Sequence, residues 1–143
     1  MKNQAQFTSM AVDYATPRWL YESLDREFHF DDDPCPYDES TYALRGNGDG
    51  LARAWGNSVY VNPPYGRLRI VPWIKRGYQE AQLGKTVVML IPSRTDVSWW
   101  HDYVMKADEI RFIRGRLKFN DSKQGAPFPS AVVVFRGSER REQ

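Results

Sequence analysis

Asn62, Pro63, Pro64 and Tyr65 stand in consecutive order, and this tetrad suits one chemical problem: methylation of an amino group conjugated to an aromatic ring. The lone pair of such a nitrogen is delocalised, so the neutral amine is a poor nucleophile. Two acceptors that hold its N–H groups favour the pyramidal, lone-pair-localised form developing in the transition state. The side-chain oxygen of Asn62 can accept one bond and the backbone carbonyl of Pro63 the other. Two prolines fix their own φ at about −65° and bias the preceding residue away from helix, so both acceptors are preorganised. Tyr65 offers a ring on which a heteroaromatic base can stack. No base of shifted pKa is needed beforehand, because the nitrogen can lose its proton during or after transfer. The same four residues also read as a strand-ending turn, since Asn-Pro and Pro-Pro pairs mark turns generally.

The elements around the tetrad decide between these readings. Val59-Tyr60-Val61 predicts a strand that stops at Asn62. Upstream, Thr16 at the N-cap and Pro17 at the first helical position predict a helix start, with Leu20, Leu24 and Phe28 as one apolar stripe ending near Glu27. Phe28-His29-Phe30 is a short strand candidate running into Asp31-Asp32-Asp33. Residues 34–57 form a long connection rich in Pro, Gly, Asn and Asp, a length usually functional or disordered. Downstream, a helix is expected from about Pro72, with Ile74, Tyr78 and Ala81 as its apolar side and Gly84 as its stop. Thr86 to Ile91 is a continuous apolar run, the pattern of a strand covered on both faces. Asp96 is a candidate N-cap for a helix through Lys106. Ile110 to Ile113 and Ser130 to Phe135 are further strands, separated by segment 114–129. This order predicts an α/β domain with a mostly parallel sheet of about five strands and an antiparallel last strand. Ligands of open α/β sheets bind beyond the carboxyl ends of the strands. Asp31 to Asp33, Asn62 to Tyr65 and Pro92-Ser93-Arg94 all fall there, which points to an enzyme.

Composition narrows the class. The chain has 143 residues, 41% hydrophobic and 27% charged, with a formal net charge of +2. That supports one domain over 1–143, with 1–15 as a flexible arm and 137–143 as a tail, and excludes general disorder. No apolar run is long enough to span a membrane, and the N-terminus lacks a signal-peptide stretch, so a soluble, cytoplasmic protein is expected. Cys35 is the only cysteine, and His29 and His101 are the only histidines, so no metal site is expected. Charge is unevenly placed. Tyr21–Gly50 holds nine acidic residues against two basic, whereas Arg111–Lys123 holds five basic against one acidic. The second stretch attracts phosphate and the first repels it. Aromatic residues, at 14%, can fill a core or offer stacking surfaces.

Taken together, these blocks resemble the small phage- and prophage-encoded DNA N6-adenine methyltransferases, a Dam-like family. The resemblance runs from about Ala15 to Phe135. It is carried by Thr16-Pro17, Glu27-Phe28-His29-Phe30-Asp31 with Asp33-Pro34-Cys35, Asp49-Gly50-Leu51 with Trp55, and Val61-Asn62-Pro63-Pro64-Tyr65-Gly66. Leu90 to Asp96 with Trp99-Trp100-His101, Arg114 to Phe119, and Ala126 to Ser130 complete it. It implies a Rossmann-like fold, S-adenosylmethionine as methyl donor and a flipped adenine in DNA as acceptor, and a role in protecting phage DNA from restriction. Asn62, Pro63, Pro64 and Tyr65 would be catalytic. Thr16, Pro17, Asp31, Asp33 and Asp49 would line the donor pocket, although the acids can equally cap a following turn. Arg94, Arg114, Arg116 and Lys118 would hold phosphates beside the extruded base. Phe119 would face the base opposite Tyr65, or serve as a core ring. Trp99 and Trp100 read as core, and His101 as a surface helix residue. One departure stands out: the Gly-rich loop that larger methyltransferases carry after the first strand is replaced by Asp-Asp-Asp-Pro-Cys-Pro. Asn-Pro-Pro-Tyr also occurs in enzymes acting on cytosine N4, RNA and protein glutamine, and a non-catalytic nucleic-acid-binding subunit is a further alternative.

Overall fold

A computed structural model describes residues 14–38, 43–44, 50–121 and 124–137. In chain order its elements are α1 (Arg18–Phe28), β1 (Tyr37–Asp38), β2 (Ala43–Leu44), β3 (Ser58–Val61), α2 (Arg67–Gln82), β4 (Thr86–Pro92), α3 (Ser98–Asp102), β5 (Glu109–Phe112) and β6 (Ser130–Phe135). The class is α/β. The main sheet is mixed, in the order β3-β4-β6-β5. β3 and β4 pair in parallel, whereas β6 is antiparallel to both β4 and β5. Three strands therefore share one direction and the last alone runs against them. Because β6 inserts between β4 and β5, two of the three pairings are antiparallel, so the sheet is mixed rather than mostly parallel.

Period-two alternation builds the layers. Val59, Val61, Val87, Met89, Ile91, Val133 and Phe135 point to one face and pack with Ile70, Trp73 and Ile74 of α2 and with Trp99 and Trp100. Tyr60, Val88, Leu90, Val132 and Val134 point to the other and pack with Leu20 and Leu24 of α1, and with Leu117, Phe119 and Ala126. Burial on both faces explains the unbroken apolar run of β4, every residue of which is buried.

Four strands form this sheet where about five were expected. The missing one is Phe28-His29-Phe30. Phe28 closes α1, and His29 takes the left-handed conformation of a C-cap (φ 51°). Strand-like pairing starts only afterwards, at a single parallel bridge between Asp32 and Val59. Asp31 N–H donates to the Ser58 carbonyl (2.8 Å), and Tyr60 N–H to that of Asp32 (3.0 Å).

Other boundaries also move. Pro17, not Thr16, is the residue before α1, and no side chain caps that helix. α2 begins at Arg67, five residues before Pro72, which lies inside the helix. Pro72 and Leu68, four residues earlier, are both solvent-exposed, so water can take up the carbonyl that the missing N–H leaves. Asp96 caps nothing. α3 follows Val97 and is only one turn long, with a separate 3-10 turn at Val104–Lys106. Within 34–57 the described residues form the β1–β2 ribbon and a 3-10 turn at Gly50–Ala52. The expected arm extends to Ala15, yet Tyr14 and Ala15 are packed against the body. Residues 1–13 and 138–143 lie outside the described residues.

One ionic knot ties the 50–56 segment to α2. Glu80, buried, accepts from Arg76 (2.7 Å) and Lys85 (2.6 Å). Arg76 also donates to the carbonyls of Leu51 and Arg53 and lies 4.6 Å from the Trp55 ring, while Lys85 donates to the Trp55 carbonyl. Burial alone would raise the Glu80 carboxyl, but the hydrogen bonds from Lys85 and Arg76 outweigh it and hold it below its ordinary value. Removing this anion leaves two cations without their shared partner. Glu80→Ala should lower unfolding stability by about 2 kcal/mol, between the exposed and fully buried cases, measured as a reduced urea midpoint at unchanged slope.

Candidate active site

Strand direction gathers several of the expected site segments at one edge of the sheet. The carboxyl ends of β3, β4 and β5, and the amino end of β6, all lie there. Asn62 to Tyr65 leave β3 at this edge, Ser93 and Arg94 leave β4, and Ile113 to Arg116 leave β5. Gly66 then turns the chain directly into α2 at φ 115°, a region open mainly to glycine. The tetrad is thus held between a buried strand and a 16-residue helix.

Asn62 is a buried polar residue, 3% exposed. Its Nδ2 donates to the backbone carbonyl of Tyr14. This bond fixes the amide orientation and directs Oδ1 the other way. There the Tyr65 hydroxyl approaches Asn62 Oδ1 at 3.0 Å and the Leu90 carbonyl at 2.9 Å. A phenol has one proton for these two acceptors, so Oδ1 keeps lone-pair capacity for another donor. Burial pushes the Tyr65 phenol well above its ordinary pKa, so it stays neutral. Pro63 and Pro64 are buried beside it.

Three rings close over Tyr65 of the tetrad. Tyr14 stacks on Tyr65 with centroids 5.5 Å apart and planes at 24°. Phe128 and Phe119 meet Tyr65 edge-on at 5.5 and 6.2 Å, and both also meet Tyr14 at 5.2 Å. Phe119, expected opposite Tyr65, is therefore beside it and perpendicular, and the stacked position belongs to Tyr14. The sequence assigns no role to Tyr14, and marks Phe128 only as part of the Ala126–Ser130 block. The signal for Tyr14 is an aromatic residue two positions before Thr16-Pro17.

The expected donor-pocket residues separate. Thr16 shares a 2.5 Å hydrogen bond with the Tyr60 hydroxyl, and Pro17 is buried at the head of α1. Asp33 sits at the carboxyl end of the segment paired to β3 and accepts from Cys35 N–H at 3.2 Å. Burial pushes its carboxyl up to about 6, and the Asp32 charge adds to the rise, against the opposing effects of the Cys35 bond and Arg53. Tyr60 is raised chiefly by its own burial, and the Asp33 charge adds to the rise. Asp31 is elsewhere. Its carboxylate accepts from the N–H groups of Asn57 and Ser58 at 3.1–3.2 Å, at the amino end of β3. Asp32 is bound by Arg53 through both guanidinium nitrogens (2.9 and 2.8 Å) and by Gly56 N–H. Asp49 lies outside the described residues.

The basic residues divide just as clearly. Arg111, on β5, is paired with Glu27 and Glu109. Arg94, Arg114, Arg116 and Lys118 are exposed at or beyond the carboxyl-end edge. Among the described residues none of these four has a carboxylate partner, and Arg116 only approaches the Ala126 carbonyl at 3.4 Å. His101 is exposed on α3, with Nε2 2.7 Å from the Thr95 carbonyl. Among the described residues no group of His, Cys, Asp and Glu could hold a metal ion, and no helix is long and apolar enough to cross a membrane. A family model described as DNA N-6-adenine-methyltransferase (Dam) matches residues 7–138. No curated protein and no solved structure matches the chain significantly.

Proposed function

The chain belongs to the DNA N-6-adenine-methyltransferase (Dam) family, and from that premise we propose that it methylates the exocyclic N6 of adenine in DNA with S-adenosylmethionine as donor. The observation that carries this reading is the buried Asn62 amide. Its Nδ2 is held by the Tyr14 carbonyl, so its Oδ1 is aimed toward the aromatic cluster. S-adenosylmethionine supplies, when bound, an electrophilic methyl group on a sulfonium. The work of the chain's own residues is to prepare the nucleophile. Asn62 Oδ1 and the Pro63 carbonyl accept the two N6–H bonds, localising the nitrogen lone pair as the bond to carbon forms. Tyr65 presents its face to the adenine ring, and its neutral hydroxyl braces Asn62 against β4. The released proton leaves the nitrogen after the methyl has transferred.

Thr16, Pro17 and Asp33 form the donor side in this reading, on the same edge as Asn62. A half-buried carboxylate with a raised pKa and, among the described residues, no cationic partner at hydrogen-bond distance suits the ammonium of an amino acid. Asp31 serves the start of β3 instead. Arg94, Arg114, Arg116 and Lys118 contact phosphates flanking the extruded base. The fold is a shortened Rossmann-like one, with the site where open α/β sheets place ligands, and protection of phage DNA from restriction is its biological use.

Purified protein incubated with S-adenosylmethionine and unmethylated DNA should yield N6-methyladenine on digestion to nucleosides and mass spectrometry. Methyl label appearing only on cytosine, on RNA or on protein would overturn the acceptor assignment. Failure to bind S-adenosylmethionine in a calorimetric titration would overturn the enzyme reading.

A further inference from the structure

A base stacked on Tyr65 needs one face of that ring, yet the face is covered. The Tyr14 ring lies on it, 5.5 Å away and within 24° of parallel, with Phe119 and Phe128 packed edge-on around both rings. The backbone beneath that ring is pinned at three points. The Tyr14 carbonyl accepts from Asn62 Nδ2, Ala15 N–H donates to Asn120 Oδ1 (2.6 Å), and Asn120 N–H donates to the Ala15 carbonyl (3.0 Å). These bonds hold the main chain and involve no atom of the Tyr14 side chain.

The surroundings are not those of a permanently filled apolar core. Ser130 lies at the amino end of β6 opposite Pro92, two residues from Val132. Strand alternation therefore turns its side chain to the same face as Leu90, Val132 and the aromatic cluster. Ser130 is 1% exposed, and its hydroxyl has no hydrogen-bond partner among the described residues. A buried polar group without a partner is unfavourable in a finished core and is expected where a polar ligand completes the site.

We propose that the Tyr14 side chain occupies the acceptor seat in the DNA-free protein as a stand-in for the base, and swings out about its pinned backbone when adenine enters. The proposal rests on the reading of Asn62 to Tyr65 as the acceptor site. Tyr14 is then a gating residue that sets the apparent affinity for DNA, while its carbonyl keeps Asn62 oriented in both states. The seat remains dry and ordered without substrate, and each base must displace one ring stack to bind.

The test has two readouts. A 3-fluorotyrosine placed only at position 14 should show a fluorine resonance that moves toward its solvent-exposed position on saturation with a pool of unmethylated adenine-containing duplexes. Tyr14→Ala, relieved of the competing stack, should lower KM for the same DNA by about 3–10-fold, the size of one aromatic pair. A resonance unmoved by saturating DNA overturns the proposal. So does a Tyr14→Ala protein with higher KM, which would make Tyr14 a wall that holds the base. Methylation of adenine by the wild-type protein reports the functional reading separately. Methylation with an unmoved resonance sinks the gate and spares the reading. A moved resonance without adenine methylation does the reverse.

Discussion

Asn62→Ala should lower kcat for adenine methylation by about 10²–10³, the usual loss for one preorganised transition-state acceptor, and leave S-adenosylmethionine binding nearly unchanged. The size follows from where Asn62 sits. It is buried, its Nδ2 is held by the Tyr14 carbonyl, and its Oδ1 lies beside the Tyr65 hydroxyl. None of these contacts is made to Thr16, Tyr60 or Asp33 themselves, and the backbone before Thr16 keeps both Ala15–Asn120 bonds when Asn62 is truncated. Tyr65 keeps the Leu90 carbonyl as a partner when Asn62 is truncated, so its ring holds its place. The defect should therefore fall on kcat rather than on KM for the donor, in single-turnover assays with donor titrated separately by calorimetry. Near wild-type turnover would remove Asn62 from the mechanism.

The tetrad was legible in the sequence because its chemistry is local. Two prolines preset the backbone of four consecutive residues, and the apolar run before them sets their burial. β4 and β6 were legible for the related reason that burial on both faces leaves an unbroken apolar string. What escaped depends on pairing between distant segments. Asp31 and Asp33 are two residues apart and indistinguishable as residue types. The parallel bridge between Asp32 and Val59 sets Asp31 level with the first residue of β3 and Asp33 further toward its carboxyl end, and only register separates them. Tyr14 looked like part of a polar arm, because its partners Asn62, Tyr65, Phe119 and Phe128 are about 50 to 115 residues away. Pro72 misled in another way. Proline signals a first helical turn, but here both it and Leu68 face solvent, so the interior position is tolerated. Thr16-Pro17 carried the pattern of a capped helix start, yet the threonine hydroxyl is engaged with Tyr60 across the fold.

Asp33 carries the other large effect, and it has opposite signs for stability and for binding. Its carboxyl is pushed from 3.8 up to about 6, chiefly by burial. A carboxyl raised on folding binds its proton more tightly in the native state than in the unfolded one. Unfolding stability should therefore fall as pH rises from about 4 to 6, and stay lowered above that. A rise of about two in pKa corresponds to roughly 3 kcal/mol. Asn at this position keeps an oxygen for the Cys35 N–H but cannot ionise. Asp33→Asn should accordingly be more stable than wild type at pH 7.5 by up to about 3 kcal/mol, with the difference vanishing below pH 4, read from urea midpoints across the range. If the charge is retained to meet the donor ammonium, the same change should weaken S-adenosylmethionine binding by about 10–100-fold, the loss of one charge-assisted hydrogen bond. Wild-type affinity should then strengthen as pH rises through 6, while that of Asp33→Asn stays flat. A variant that gains stability and binds the donor normally would show that the charge is buried for some other purpose. Gain of stability together with loss of binding is the pattern of a site that holds an unfavourable charge for its ligand.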